Sequence, residues 1–189
     1  MTGDIEGAAE AALAQLDSMG AAYQVIECDP ELADTAAFCE HYGVPLDRSG
    51  NCILVASRRE PKQFCACLVV STVRLDVNKT VKRLLGVSRA SFASPEDTMA
   101  LTGMMIGGVT PFGLPLDLPL YIDAPIEALD YIVVGGGSRS QKLKVAPRGH
   151  HCAAQRRGDY GPGSATAGVS PSAAAPVTRV SPTAGPSRA

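Results

Sequence analysis

Residues 107–113 are the stretch of this chain best suited to binding a ligand through its backbone. They read Gly-Gly-Val-Thr-Pro-Phe-Gly. The three glycines lack a Cβ and can adopt positive φ or lie directly against a substrate, while Pro111 fixes its own φ and restricts Thr110. Such a loop can present main-chain N–H groups to a ligand. The alternative is a plain turn between two strands, and the pattern alone leaves both interpretations open.

Cysteine is the second residue type that could carry chemistry here. None of the six cysteines belongs to a Cys-x-x-Cys pair, and Cys65 and Cys67 would share one strand face without the second half that a zinc site needs. We therefore interpret the cysteines as small core hydrophobes of a protein in a reducing compartment, and we expect no metal and no cofactor. The six are Cys28, Cys39, Cys52, Cys65, Cys67 and Cys152.

The charge of the chain is unevenly distributed. Residues 1–147 carry 12 basic and 18 acidic groups, a net charge of −6, whereas residues 148–189 carry five arginines and one aspartate, a net charge of +4. An acidic body argues against a strongly cationic nucleic-acid-binding domain, and we expect no DNA partner. Two local basic patches are candidates for phosphate contacts, with solvated surface as the alternative for each: Arg58-Arg59 and Lys79/Lys82/Arg83.

The N-terminus and the apolar runs predict a cytoplasmic protein. The chain starts with acidic residues where a secretory signal would be basic, and no apolar run is long enough to cross a bilayer. We therefore expect no membrane association.

Helices and strands alternate in the pattern that must position the glycine loop. Apolar residues recur at helical spacing from Ile5 to Met19, a capped helix follows Asp34, and two more follow Asp76 and Ser94. Apolar runs bounded by turn residues predict the strands, the second and third of which form an antiparallel hairpin. The predicted strands cover residues 23–27, 52–56, 64–70, 118–122, 131–134 and 143–145.

These elements predict the fold class and the domain organisation. Strands interleaved with short flanking helices indicate a single α+β domain over residues 1–147, with a mixed, mostly antiparallel sheet that is partly barrel-like. From about Pro147 the sequence becomes rich in Gly, Ala, Ser, Pro, Thr and Arg, which cannot bury enough apolar surface to offset ordering. We expect residues 148–189 to be a low-complexity, disordered tail.

With the elements placed, residues 5–146 closely resemble the YbaK/EbsC family, relatives of the editing domain inserted in bacterial prolyl-tRNA synthetases. The resemblance implies that fold and an aminoacyl-tRNA deacylase, which hydrolyses the ester between a small mischarged amino acid, such as alanine or cysteine, and the terminal adenosine of tRNA. It also implies the CCA end of aminoacyl-tRNA, and further an aminoacyl-tRNA synthetase, as partners. The motifs that carry the resemblance are Leu75-Asp76, Thr102-Gly103, the 107–113 loop, Tyr121-Ile122-Asp123 and Val134-Gly135-Gly136-Gly137-Ser138-Arg139.

The resemblance also implies the site residues. The glycine loop would wall the aminoacyl pocket, Gly108 and Thr110 would take part in the chemistry, and Val109 and Phe112 would limit side-chain size or serve as ordinary core residues. The full set of substrate-binding residues implied in this way is Thr102, Gly107, Val109, Pro111, Phe112, Gly113 and Arg48.

One position departs from the family pattern in a way that affects catalysis. The family carries a lysine at the start of the first hairpin strand, and Asn51 stands in its place here, as a catalytic residue without charge or as turn chemistry. Loss of a charge-assisted contact there would cost about 1.5–3 kcal/mol. Arg48 is a candidate replacement cation, and Lys142 is a further departure, at a position where family members carry an acid.

The sequence therefore leaves three functions to compare. The first is a trans-acting aminoacyl-tRNA deacylase, and the second is a non-catalytic module of the same fold that binds aminoacyl-adenosine-like ligands or a synthetase, favoured by Asn51. The third is a cysteine-dependent enzyme built on Cys52, Cys65 and Cys67, for which His41 is the only histidine in the body that could act as base.

Overall fold

The computed structural model describes residues 3–147, with the backbone alone for residues 3–6. The predicted tail therefore lies outside the described residues. The helices are α1 (Gly3–Ser18), α2 (Thr35–Tyr42), α3 (Lys82–Leu84), which continues a π-helical turn at Val77–Val81, and α4 (Pro95–Thr102). The strands are β1 (Tyr23–Glu27), β2 (Gly50–Ser57), β3 (Phe64–Val70), β4 (Ala90–Phe92), β5 (Leu120–Ile122), β6 (Ile132–Gly135) and β7 (Gln141–Val145).

The strands form two sheets. One has the order β1-β7-β6 and is antiparallel, and the other has the order β4-β2-β3-β5, with β3 and β5 parallel and the remaining pairs antiparallel. An isolated parallel bridge between Ser49, the residue before β2, and Val133 of β6 connects the two sheets. The α+β class and the β2–β3 hairpin are confirmed, and the described strands do not close into a barrel.

Local capping chemistry explains where the helices start and stop. The Asp76 carboxylate accepts hydrogen bonds from the N–H groups of Lys79 and Thr80, and the Ser94 hydroxyl accepts one from Asp97. Gly43 and Gly103 end α2 and α4 with φ of 68° and 69°, the left-handed conformation that glycine adopts without strain. Strand β4 was not predicted, because three residues of mixed polarity give no period.

The main core lies between the two sheets and under α1. Leu16, Ile132 and Leu143 are at most 1% exposed there. A second cluster packs the π-helical turn on β2 and β3 through Val77, Val81 and Val55, and a third packs α2 on the outer face of the β1-β7-β6 sheet. Within residues 3–147, no helix has the length and apolar composition needed to cross a bilayer.

Five cysteines are free and buried, as the sequence predicts for small core hydrophobes. Burial raises the pKa of the Cys52 thiol above its ordinary value of 9.0, and a hydrogen bond with Cys67, together with burial, raises that of Cys65. The two sulfurs of Cys65 and Cys67 lie 3.9 Å apart. The Cys52 and Cys65 thiols stay protonated in the folded protein at pH values where the unfolded chain releases their protons.

The protein should therefore lose stability in alkaline solution. A raised folded-state pKa gives stability that is complete below pH 9 and is lost above it, by about 1.4 kcal/mol per pH unit for each thiol. Urea denaturation under reducing conditions between pH 8 and 10.5 measures this slope. Cys52→Ala should make the slope shallower by one thiol's contribution, whatever its effect on stability at pH 8. An unchanged slope would show that Cys52 does not titrate this way.

Candidate functional site

The glycine loop 107–113 follows α4 and packs against the second half of α1. The Gly113 N–H donates a hydrogen bond to Gln15 Oε1 on α1, and a Cβ at Gly113 would lie 3.0 Å from the backbone nitrogen of Ala12. Gly107 and Gly113 have φ of 90° and 70°, which side chains rarely tolerate. Part of the loop's glycine content is therefore explained by close packing on α1.

The same loop lies backbone to backbone against residues 135–138, the turn between β6 and β7. The Gly137 N–H donates to the Gly108 carbonyl at 2.8 Å. A Cβ at Gly135 would lie 2.1 Å from the carbonyl oxygen of Val109, and one at Gly108 would lie 2.6 Å from the carbonyl carbon of Ser138. The glycine loop and the Gly-Gly-Gly motif after β6 are far apart in sequence. Their glycines allow the two backbones to come into direct contact.

Two cations from the β6–β7 side tie the loop to the segment before α2, and we call Lys142 and Arg139 the cationic clamp. Lys142 Nζ donates to the carbonyls of Ala33 and Gly107, both at 2.6 Å. The Arg139 guanidinium donates to Pro30 O at 2.7 and 3.0 Å and, through Nη1, to the carbonyl oxygen before Gly107 at 2.9 Å. The clamp fixes the loop against residues 30–34.

Lys142 is buried to an extent that is unusual for a lysine. Its exposure is 6%, and its Nζ lies 5.5 Å from the ring centroid of Phe38 on α2. Desolvation lowers the pKa of Lys142 below its ordinary range, and the neighbouring Arg139 adds to this effect, while the Cys28 thiol opposes it. The fold keeps a costly ammonium here because two carbonyl oxygens need its donors.

Asn51 lies at the start of β2 and contacts the first turn of α2. Its Oδ1 accepts a hydrogen bond from the Thr35 hydroxyl at 2.6 Å, which orients the amide. The Nδ2 group has no hydrogen-bond partner among the described residues, and the side chain is half-buried. Asn51 therefore offers a fixed, neutral donor at the start of β2.

The start of α2 brings Asn51 and the glycine loop to the same part of the molecule. Asn51 contacts Thr35, and the carbonyl of Ala33, two residues earlier, shares the Lys142 ammonium with Gly107. Residues 30–35 thus lie between the two predicted parts of the site.

Arg48, the candidate replacement cation, is engaged by residues before β6. Its guanidinium is ion-paired with Asp130 and lies 5.6 Å from the ring centroid of Tyr131. It is directed to the turn before β6, and no contact among the described residues joins it to Asn51.

Several other predicted site residues have structural partners. The Thr102 hydroxyl donates to Thr98 O at 2.7 Å and accepts from the N–H of Met104, which closes α4. Phe112 is 5% exposed in the main core. Pro111 is also buried, and Val109 is half-buried and packs against that core.

Thr110 lies in the interior rather than at the surface of the loop. Its exposure is 0%, and its hydroxyl has no hydrogen-bond partner among the described residues. Its N–H lies 3.5 Å from Met104 Sδ. A ligand could reach this hydroxyl only by entering the core.

The loop retains two backbone donors without a partner in the described part of the chain, the N–H groups of Gly107 and Val109. Both residues are half-buried. The N–H of Gly108, between them, donates to the Met105 carbonyl instead. Beside them, Met105 and Ile106 expose 42% and 53% of their surfaces. The loop can thus donate to a ligand's oxygen atoms next to an apolar surface.

The sequence reasoning missed the roles of Thr35 and Lys142. Thr35 begins α2 by its position after Asp34, and no sequence pattern relates it to a residue 16 positions away. Lys142 was noted as a departure from the family pattern, without its contacts. In β7, which reads Gln-Lys-Leu-Lys-Val, strand alternation places Lys142 on one face of the sheet and the buried Leu143 on the other. Whether the face that carries Lys142 is also buried depends on where α2 packs, and the sequence does not reveal that.

Comparison with known proteins relates this arrangement to a family and a fold. The family model described as the aminoacyl-tRNA editing domain matches residues 29–150, more than half of the chain. The uncharacterized protein YwhH of Bacillus subtilis (strain 168) is 28% identical over 124 residues, which are 66% of this chain and 76% of that protein.

Two solved structures are similar in fold. One is that of a proposed trans-editing enzyme for prolyl-tRNA synthetase, with a TM-score of 0.66, 22% identity and coverage of 79% of this chain and 93% of the other. The second is that of the hypothetical protein APE2540, with a TM-score of 0.65, 22% identity and coverage of 73% and 89%. At this identity the structures establish the fold alone.

Proposed function

The chain belongs to the aminoacyl-tRNA editing domain family, and on that premise we propose that it is a trans-acting aminoacyl-tRNA deacylase. Its substrate would be a tRNA that carries a small mischarged amino acid, such as alanine or cysteine. The product would be free tRNA, so the protein would act in translation quality control. The similarity in fold to a proposed trans-editing enzyme for prolyl-tRNA synthetase is consistent with this proposal.

The reaction asks for positioning more than for a reactive side chain. Water attacks the carbonyl carbon of the ester, the bond to the ribose oxygen breaks, and that oxygen takes up a proton as the hydroxyl of the terminal adenosine. The ribose hydroxyl next to the ester belongs to the substrate and can orient the water. The protein has to hold the ester and stabilise the negative charge that develops on its carbonyl oxygen.

The observation that carries the proposal is the set of unpaired donors on the two sides of residues 30–35. The N–H groups of Gly107 and Val109 would stabilise the developing oxyanion, and Asn51 Nδ2 would hold a substrate oxygen from the opposite side. The cationic clamp would fix the distance between the loop's N–H groups and Asn51 Nδ2. Asn51, as a neutral donor, would supply less stabilisation than a cation, by about 1 kcal/mol.

A deacylation panel tests this function directly. The full chain should release alanine, cysteine or another small amino acid from mischarged tRNA faster than buffer alone, and Asn51→Ala should slow this release about tenfold, which corresponds to one lost hydrogen bond. Arg48→Gln is the matched control, because its guanidinium is engaged with Asp130. No release from any member of the panel would overturn the proposal.

A non-catalytic binding module is the second candidate, and the neutral Asn51 favours it. Asn51→Lys separates the two functions. In a site that has lost catalysis, the lysine should create hydrolysis that the natural chain lacks. In a site adapted to asparagine, it should lower the rate or change the preferred amino acid, because the Thr35 hydroxyl would lose its acceptor.

A further inference from the structure

The two basic patches of the sequence belong to one segment, residues 58–89, whose two ends meet at the end of β2. Residues 58–89 hold eight basic and two acidic residues, a net charge of +6, while the rest of residues 1–147 holds four basic and 16 acidic residues, a net charge of −12. Most of the positive charge of the described body is thus concentrated in one segment. We define the basic face by six exposed residues of this segment: Arg58, Arg59, Arg74, Lys79, Arg83 and Arg89.

The topology explains how residues distant in sequence meet there. After β3, the chain leaves the sheet beside β2's entry, where the Ser71 N–H donates to Ser49 O. It crosses over the sheet as the π-helical turn and α3, and it returns at the other end of β2, where Ala90 pairs with Ser57. There the Arg58 N–H donates to the Arg89 carbonyl at 3.1 Å. The basic face follows this crossing along the length of β2.

The cations of this surface are available for a partner. No salt bridge within residues 3–147 involves any of the six, whereas Lys62 in the same segment is paired with Asp97 at 3.0 Å. Like charges concentrated in one segment repel one another at a cost in folding free energy, and a polyanion would relieve that repulsion. An exposed row of unpaired cations matches the regular phosphates of a nucleic acid.

The position of the basic face relative to the candidate site indicates which part of a nucleic acid would lie on it. Asn51 and Ser57 are six residues apart on β2, about 20 Å at the rise of a strand. In a tRNA whose terminal ester lies near Asn51, the unpaired 3′ end separates that ester from the first base pairs. The duplex would then begin over the crossing segment.

We propose that the basic face binds the sugar–phosphate backbone of the tRNA acceptor stem, while the ester end lies at Asn51 and the glycine loop. The proposal depends on the proposed function for the choice of RNA as the partner. It assigns the binding of the RNA body to residues 58–89, separate from the groups that hold the ester. Recognition there would depend on duplex shape and charge rather than on base sequence.

The test is the salt dependence of RNA binding by the full chain. The probe is a deacylated RNA hairpin with an acceptor stem and a 3′ ACCA overhang, and the variant is Arg58→Gln/Arg83→Gln/Arg89→Gln. The slope of log affinity against log salt concentration should decrease by about one for each cation removed. The affinity at moderate salt should fall about tenfold or more. Binding of the ACCA tetranucleotide alone should not change.

The matched control lowers the net charge by the same three units outside the basic face. It is Ala14→Glu/Gln24→Glu/Ala128→Glu, at exposed positions. It should change hairpin affinity by less than about threefold, because distant exposed charges are screened. Equal losses in both variants, or no loss in the first, would overturn the proposal. So would loss of binding to purified prolyl-tRNA synthetase with unchanged RNA binding, which would indicate a protein partner.

The outcomes also separate this proposal from the proposed function. Salt-dependent hairpin binding that the first variant weakens, in a protein that releases no amino acid, would support the basic face and contradict the deacylase. Rapid deacylation by the natural chain, together with equal hairpin affinity in the natural chain and the first variant, would support the deacylase and contradict the basic face.

Discussion

Gly135→Ala should lower the free energy of unfolding by about 3 kcal/mol or more, or prevent folding altogether. The added Cβ would lie 2.1 Å from the carbonyl oxygen of Val109 and 2.7 Å from that of Gly108. Both are backbone atoms in a loop held by the cationic clamp, so neither can move as a flexible side chain would. The glycine loop and the β6–β7 turn would have to separate. Urea denaturation followed by circular dichroism measures the change.

Gly7→Ala is the matched control for this glycine. Gly7 lies in α1, and a Cβ there meets nothing within 4 Å. The substitution should stabilise the protein by about 0.5–1 kcal/mol, because alanine is the better helix former. If both alanine variants unfolded at the same urea concentration as the natural chain, the contact between the two backbones would not exist in solution.

Lys142→Met should have the largest effect on activity among substitutions away from the substrate. Methionine has a similar length but removes the ammonium near the Phe38 ring and leaves the carbonyls of Ala33 and Gly107 without their donor. Unpaired buried acceptors cost about 1–3 kcal/mol each. If the loop then moves by about 1 Å, kcat for deacylation should fall by about 10²-fold. KM should change little, because Lys142 acts through the loop.

Lys144→Met is the matched control, since Lys144 is on the same face of β7. Its Nζ lies 4.2 Å from the Tyr131 ring centroid and makes no hydrogen bond to the loop. Its substitution should leave kcat within about twofold, as expected for a half-exposed cation. Amide hydrogen exchange provides a second readout, and it should accelerate at residues 107–109 only when Lys142 is replaced. Equal kcat values for the two variants would contradict a role for Lys142 in positioning the glycine loop.

The pH dependence of stability distinguishes this role from simple packing. A lysine whose folded pKa is lowered binds its proton more weakly in the folded state, so its contribution to stability rises as the pH approaches 10.5. The stability of the natural chain relative to Lys142→Met should therefore increase with pH in that range. The buried thiols titrate in both proteins, and their effect cancels in the difference.

Much of the fold could be predicted from the sequence because its signals are local. Asp76, Ser94, Gly43 and Gly103 mark helix ends through bonds within one turn. The short strand β4 could not be predicted, since it is defined by its pairing with the end of β2. The division into two sheets is likewise a matter of long-range packing.

The candidate site was predictable to a smaller extent. The glycine loop could be identified from its own residues, and Asn51 from the lysine that the family resemblance implies at its position. The partners of the loop's glycines lie on α1 and after β6, and sequence spacing does not reveal them. The contact of Asn51 with Thr35 and the clamp on Gly107 depend on how α2 packs on the β1-β7-β6 sheet. Side-chain type predicted which residues could do chemistry, while tertiary packing decides which atoms remain available.

The separation of charge between residues 58–89 and the rest of residues 1–147 also gives this part of the chain an electric dipole. In the field of a polyanion, such a molecule turns its positive end towards the phosphates before any contact forms. Its acidic remainder is repelled from the same phosphates, so encounters from the wrong side are short-lived. A small protein that must find one end of a large RNA would thereby be oriented during its approach, and a larger share of collisions would begin in the productive direction.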